Sequence, residues 1–172
     1  MMPQAPTSPA PIRVLVADDQ ALIRRGMAML LDAAPDIQVV GQAADGLEAV
    51  QLAQQLRPDV VLMDLHMPRK SGALATREIT ASLPQTRVMV LTTFDSDELV
   101  FDAVRAGAQA YLLKDASEDE VVETVRAVHR GDALVAVCGG TDAGVTALNA
   151  MAFGVIGAIA PPGDDPAAAA RP

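Results

Sequence analysis

The chain has 172 residues, 51% hydrophobic but only 2% aromatic, with a formal net charge of −9. That length allows one domain with a full core plus a remainder, and a core poor in rings has to be built from Val, Leu, Ile, Ala and Met. The acidic balance argues against a nucleic-acid-binding surface, and a single cysteine, Cys138, excludes an intrachain disulfide and suits a reducing cytosol.

The opening stretch, MMPQAPTSPAP, has neither the basic nor the apolar region of a signal peptide, and its prolines predict a short disordered leader over 1–11. From Ile12 onward two patterns alternate. Apolar runs predict strands over Ile12–Ala17, 37–42, 59–63, Arg87–Thr92 and 109–114. Helical spacing predicts helices over 20–33, 46–57, 73–83, 97–106 and Glu118–Arg130. The first helix carries Leu22, Ile23, Met27, Leu30 and Leu31 on its apolar stripe, and the last carries Val121, Val122, Val125 and Val128. Pro35, Pro58, Pro84, Gly107 and Gly131 stand where helices have to stop. Ser117, with Glu120 three residues on, has the pattern of a capping box. Strictly alternating strands and helices predict an α/β, flavodoxin-like fold: a doubly wound, five-stranded parallel sheet with helices on both faces.

Such a sheet binds its ligand beyond the carboxyl ends of the strands, where the strand order reverses. Four apolar runs end there on polar residues: the first on Asp18-Asp19, the third on Asp64, the fourth on Thr92 and the fifth on Lys114. A lone Asp after a strand is usually a turn or cap residue. In the order 2-1-3-4-5, however, strands one and three are neighbours, which brings Asp18 and Asp19 beside Asp64. Carboxylates about 4 Å apart repel by about 4 kcal/mol per pair at an effective dielectric near 20, so a proton or cation is required. An all-oxygen site with few protein ligands suits Mg²⁺. Carboxylates, a metal, an ammonium and a hydroxyl at one edge describe a site for a phosphoryl group.

Asp18-Asp19, Asp64 followed by Met67-Pro68 and Gly72, Leu91-Thr92-Thr93-Phe94, and Tyr111 followed by Lys114 together resemble the receiver domain of two-component response regulators, over about 12–131. The stretch GAQAYLLKD is most similar to the NarL/FixJ (LuxR-type) branch, whose members usually carry a DNA-binding output domain. The resemblance implies a CheY-like sheet of order 2-1-3-4-5 and a cytoplasmic phosphorelay protein rather than an enzyme. It implies that Asp64 takes a phosphoryl group from a sensor histidine kinase. Asp19 would bind Mg²⁺ directly and Asp18 mostly through water, with Asp64 and the main-chain carbonyl of His66 completing the protein's share. Lys114 would pair with the phosphoryl oxygens, Thr92 would hydrogen-bond one of them, and Tyr111 would move inward with Thr92. That motion would reach the surface of the fourth helix, fifth strand and fifth helix, where a second copy or another protein could bind. Two positions depart from the pattern: Ser71, often acidic in the family, and Asp115, where many receivers have proline after the lysine.

Other readings compete at several positions. Taken alone, Thr92 and Thr93 are ordinary β-branched strand residues, Tyr111 is core, His66 is a solvated loop residue and His129 is a surface residue at a helix C-terminus. An aspartate-nucleophile phosphatase of the haloacid-dehalogenase type wants a second acid where His66 stands and a later Gly-Asp loop that does not follow. A nucleotide-binding module wants a glycine loop after the first strand, which is also missing. After Gly131 the character changes, with no Lys or Arg over 131–170 and an uncharged Ala/Gly-rich stretch of 18 residues over 143–160. That stretch is at the lower limit for a membrane span and lacks a basic flank, so a low-complexity tail over 132–172 is expected rather than an anchor. The tail is too short and too acidic for a helix-turn-helix, so no direct DNA binding is expected. A frameshift or truncation near codon 137 would account for it and would leave a transcriptional regulator acting only as a phosphate sink.

Overall fold

A computed structural model describes residues 9–93 and 97–132, and all of them belong to a unit that ends at Gly139. The elements run β1 (Ile12–Ala17), α1 (Ala21–Asp32), β2 (Ile37–Ala43), α2 (Gly46–Leu56), β3 (Val60–Met63), α3 (Gly72–Ser82), β4 (Arg87–Thr92), α4 (Asp97–Arg105), β5 (Ala110–Leu113) and α5 (Glu118–Arg130). The strands form one parallel sheet of order β2-β1-β3-β4-β5, as the alternation of patterns predicts. The expectations for residues 1–8, for Phe94 and for the tail from 133 lie outside the described residues.

Two cores explain why β3 has no polar residue. Successive side chains of a strand point to opposite faces. Val60 and Leu62 join Val14, Val16, Met89 and Leu112 on the face covered by Leu31 of α1 and by Val121, Val125 and Val128 of α5. Val61 and Met63 join Leu15, Ala17 and Val88 on the face covered by Ala49, Val50 and Ala53 of α2 and by Ala75 and Ile79 of α3. One position on α1 corrects the expected stripe: Leu22 points outward at 86% exposure, while Leu31 is buried and Met27 and Leu30 pack against the core. Leu22 lies in the first turn of α1, ahead of Met27, Leu30 and Leu31, which make the helix's contact with that core.

Local chemistry sets the helix ends. α2 stops at Arg57, which takes a left-handed conformation (φ 47°) ahead of Pro58. α5 opens with the Ser117–Glu120 capping box and ends on Gly131 at φ 95°. Ser71, the departure from the acidic pattern, caps α3 by accepting from the Leu74 amide. The C-terminal carbonyls of α5 take a cation from β4, on the sheet face that α5 covers. Arg87 of β4 donates to the Val128 carbonyl at 2.9 Å and also to the His129 carbonyl. The Val128 carbonyl also accepts from the Gly131 amide at 3.0 Å, so the guanidinium adds a second donor at a helix end where carbonyls run short of partners, and its charge opposes the helix dipole. Arg87→Ala should lower unfolding stability by about 1–2 kcal/mol, read as a shift of the urea midpoint at unchanged slope. No helix among the described residues is long and apolar enough to cross a membrane.

Candidate functional site

The sheet's hydrogen bonding runs one step beyond the strands, and this aligns the site. The Asp18 amide donates to the Ala43 carbonyl at 3.1 Å, the Asp64 amide to Ala17 at 2.8 Å and the Lys114 amide to Thr92 at 2.8 Å. The residues after β1, β3 and β5 are therefore held by main-chain bonds before any side chain acts. Carboxylate oxygens of Asp18, Asp19 and Asp64 all lie within 4.8 Å of one another. Asp18 and Asp64 are buried, while Asp19 is exposed at the mouth. Lys114 Nζ lies between the two buried acids, 2.6 Å from Asp18 Oδ2 and 3.1 Å from Asp64 Oδ2.

Burial pushes the Asp64 carboxyl above the usual carboxylate range, and the Asp18 charge adds to the rise against the pull of Lys114. Burial works against the Lys114 charge as well, but its hydrogen bonds to Asp18 and Asp64 outweigh that and raise its pKa above the ordinary lysine value. The ammonium is thus a fixed positive group. Formally, three carboxylates and one ammonium leave two negative charges facing one point. An all-oxygen donor set with that residual charge fits a small hard divalent cation.

The remaining expected residues lie around this centre. His66 is exposed, and its amide makes a long 3.4 Å bond to Asp64 Oδ1. Thr92 is fully buried at the end of β4. Tyr111 is only 1% exposed, paired with Val90 in the β4–β5 ladder. All peptide bonds of the described residues are trans, including that after Lys114. Sequence reasoning missed Arg24, whose Nη1 donates to the Asp18 carbonyl at 2.6 Å. It also missed Gln20, whose amide donates to Asp18 Oδ1 at 2.8 Å. An Asp two residues before the amide it bonds, just ahead of a helix start, was the available signal for the second; the first has none.

Residues 14–126, from the third residue of β1 to the third turn of α5, match the family profile described as the response regulator receiver domain. The chain belongs to that family. This receiver is 48% identical over 123 residues to the transcriptional regulatory protein YxjL of Bacillus subtilis, covering 72% of this chain and 56% of that protein. It is 42% identical over 125 residues to the oxygen regulatory protein NreC of Staphylococcus carnosus, covering 72% and 58%. Among solved structures, the receiver domain of the response regulator NarL from Mycobacterium tuberculosis superposes with a TM-score of 0.69 at 35% identity, covering 72% of this chain and 99% of that one. The chain spans just over half the length of the curated relatives it matches. Two-component signalling and the NarL/FixJ branch, both read from the motifs, agree with these relatives.

Proposed function

We propose that Asp64 is the phosphoacceptor of a histidine-to-aspartate phosphorelay, with Asp18, Asp19, Asp64 and the main-chain carbonyl of His66 as the protein's ligands to Mg²⁺. The observation that carries this reading is the gathering of three carboxylates and one ammonium at the ends of three strands. Asp64 Oδ attacks the phosphorus of a phosphohistidine on the sensor kinase. A P–O bond forms, the P–N bond breaks, and the imidazole leaves with its electron pair. Bound Mg²⁺ would neutralise charge on the phosphoryl oxygens. Lys114 is already held beside Asp64 and needs little movement to pair with a phosphoryl oxygen, and the Thr92 hydroxyl would bond another. The exposed His66 is placed to influence how long the phosphoryl group persists rather than to act as a base.

The output we propose is protein contact, with a second copy or another partner, in the cytoplasm where the kinase domain lies. No DNA binding by this chain and no membrane contact are part of the proposal. Since the Tyr111 ring is already inside, its coupling to Thr92 would be a repacking rather than a swing from outside to inside. A beryllofluoride complex with Mg²⁺ should therefore change the fluorescence of Tyr111, the only tyrosine, modestly. In Thr92→Ala the complex should still form and the change should vanish. An unchanged tyrosine signal in the wild-type complex would leave Tyr111 as core alone, and the same change persisting in Thr92→Ala would break its coupling to Thr92.

Incubating the full chain with acetyl phosphate tests the proposal, with intact mass as the readout. One phosphoryl group per chain, present with Mg²⁺ and absent with a chelator, is the expected result. Continuous turnover of a phosphate ester without a labelled protein would overturn it in favour of a phosphatase.

A further inference from the structure

Two loops interlock next to the acceptor. In the β2–α2 turn, Asp45 caps α2, its Oδ1 accepting from the Leu47 and Glu48 amides at 2.8 and 2.9 Å. Glu48 accepts in turn from the Ala44 amide at 2.7 Å. These bonds fix Asp45, which is 2% exposed, and leave Oδ2 for another partner. That partner is Arg69 of the β3–α3 loop, whose Nη2 ion-pairs with it. The backbones touch as well, since a Cβ at Gly46 would collide with the Lys70 carbonyl oxygen.

Arg69 itself is in an unfavourable conformation. The Lys70 amide donates to the Pro68 carbonyl at 2.7 Å, closing a three-residue turn with Arg69 at φ 65° in its middle. A γ-turn of positive φ is the rare, strained form. Glycine would take that backbone without strain, so a residue with a large side chain here calls for a reason in the side chain. The ion pair to a buried, cap-fixed carboxylate supplies one. The loop so anchored is the segment between Asp64 and α3, and it carries His66.

We infer that the Asp45–Arg69 ion pair is a clasp that holds the 65–71 loop against α2 and thereby sets the affinity of the acceptor site for its divalent cation. Neither residue touches the reacting atoms; both are positioning residues. The inference rests on the metal-site reading above. It predicts that loosening the clasp weakens cation binding while the carboxylates themselves remain intact.

The test uses the full chain and four variants. Asp45→Asn keeps an oxygen for the helix cap but loses the charge. Arg69→Met keeps the stem without the charge, Arg69→Gly relaxes the turn and drops the pair, and Arg69→Lys retains a cation. Mg²⁺ affinity is measured by calorimetry well below the unfolding temperature, and amide exchange is followed over 65–71. Asp45→Asn, Arg69→Met and Arg69→Gly should each weaken Mg²⁺ binding by roughly tenfold, the lower end of what groups behind metal ligands give. The double variant Asp45→Asn/Arg69→Met should be no worse than either single one, and Arg69→Lys should recover most of the loss. Exchange over 65–71 should rise in the three weakened variants and stay unchanged in α5. Wild-type affinity in Arg69→Met, additive losses in the double variant, or unchanged loop exchange would each overturn the clasp. A wild-type chain that takes up no Mg²⁺ would instead sink the metal-site reading, and the exchange data would still decide whether the pair holds the loop.

Discussion

Asp64→Asn is expected to abolish labelling by a small phosphodonor and, in the metal-free protein, to raise the melting temperature by a few degrees. The first effect follows from loss of the nucleophilic oxygen. The second follows from the direction of its pKa shift: burial and the neighbouring Asp18 raise it, so the folded state binds this proton more tightly than the unfolded chain does. Stability is then lost as pH rises from the ordinary carboxylate value through the raised one. Asparagine has no such ionisation and leaves Lys114 its shorter bond to Asp18. The advantage of the variant should therefore be absent in acid, grow across that window and persist to neutral pH. Mg²⁺ should reverse the order, because a ligand stabilises only the protein that binds it. Thermal scans in chelator and in Mg²⁺ at several pH values measure all of this. A metal-free variant melting below wild type at neutral pH would mean that the attraction of Lys114 for Asp64 outweighs burial. Asp36 has the opposite sign: Arg126 holds its pKa down, so its contribution is present above the usual carboxylate range and is lost as pH falls.

Gly72→Ala should cost about 3 kcal/mol, at the upper end for overpacking a tight site. Gly72 opens α3, and its amide donates to the Leu65 carbonyl at 3.0 Å. A Cβ there would collide with the Asp64 carbonyl oxygen and crowd the Leu65 Cα. Both obstacles are backbone, so no rotamer change relieves them. The substitution would force α3 away from the strand that carries the acceptor, and labelling should fall along with stability. Gly26→Ala is the control: nothing lies within 4 Å of that position in α1, and alanine there should stabilise by about 0.5–1 kcal/mol through helix propensity. Urea melts of the two variants, run side by side, measure both. A Gly72→Ala protein as stable as wild type would show that the first turn of α3 can lift off Asp64 at little cost.

The fold was legible because β1, β3, β4 and β5 are buried along nearly their whole length, so that apolar composition alone marks them as strands of a covered sheet. Val60–Met63 is the plainest instance: an all-apolar run can only be a central strand once helices flank it. Asp18, Asp64 and Lys114 were legible for the same reason, each being the polar residue on which an apolar run stops. What period cannot reveal is which of two adjacent acids turns inward. Asp18 is buried and still held in the ladder by its amide bond to Ala43, whereas Asp19, one residue beyond, is exposed. The clasp was invisible for a different reason. Asp45 and Arg69 lie in two loops separated by 24 positions, and an arginine does not announce a positive φ as glycine would. Arg57 hid its left-handed conformation in the same way, although Pro58 marked the stop. The Asp45-to-Glu48 spacing did carry a helix-start signature, and read as such it would have fixed one half of the clasp.

The strand order also divides the site by stiffness. Asp18 and Asp64 follow β1 and β3, each flanked by neighbours on both sides, whereas Lys114 follows β5, a strand of 4 residues paired only to β4. A sheet yields first at its margins, where half of the main-chain bonds are missing. Charge added at Asp64 would thus press on a rigid anvil from one direction and on a compliant spring from the other. The strain would be taken up where Lys114 is tethered, toward β5 and the helices on either side of it in the chain. Under the proposed phosphorelay reading, directionality of output would then be a mechanical property of strand order, present before any partner arrives.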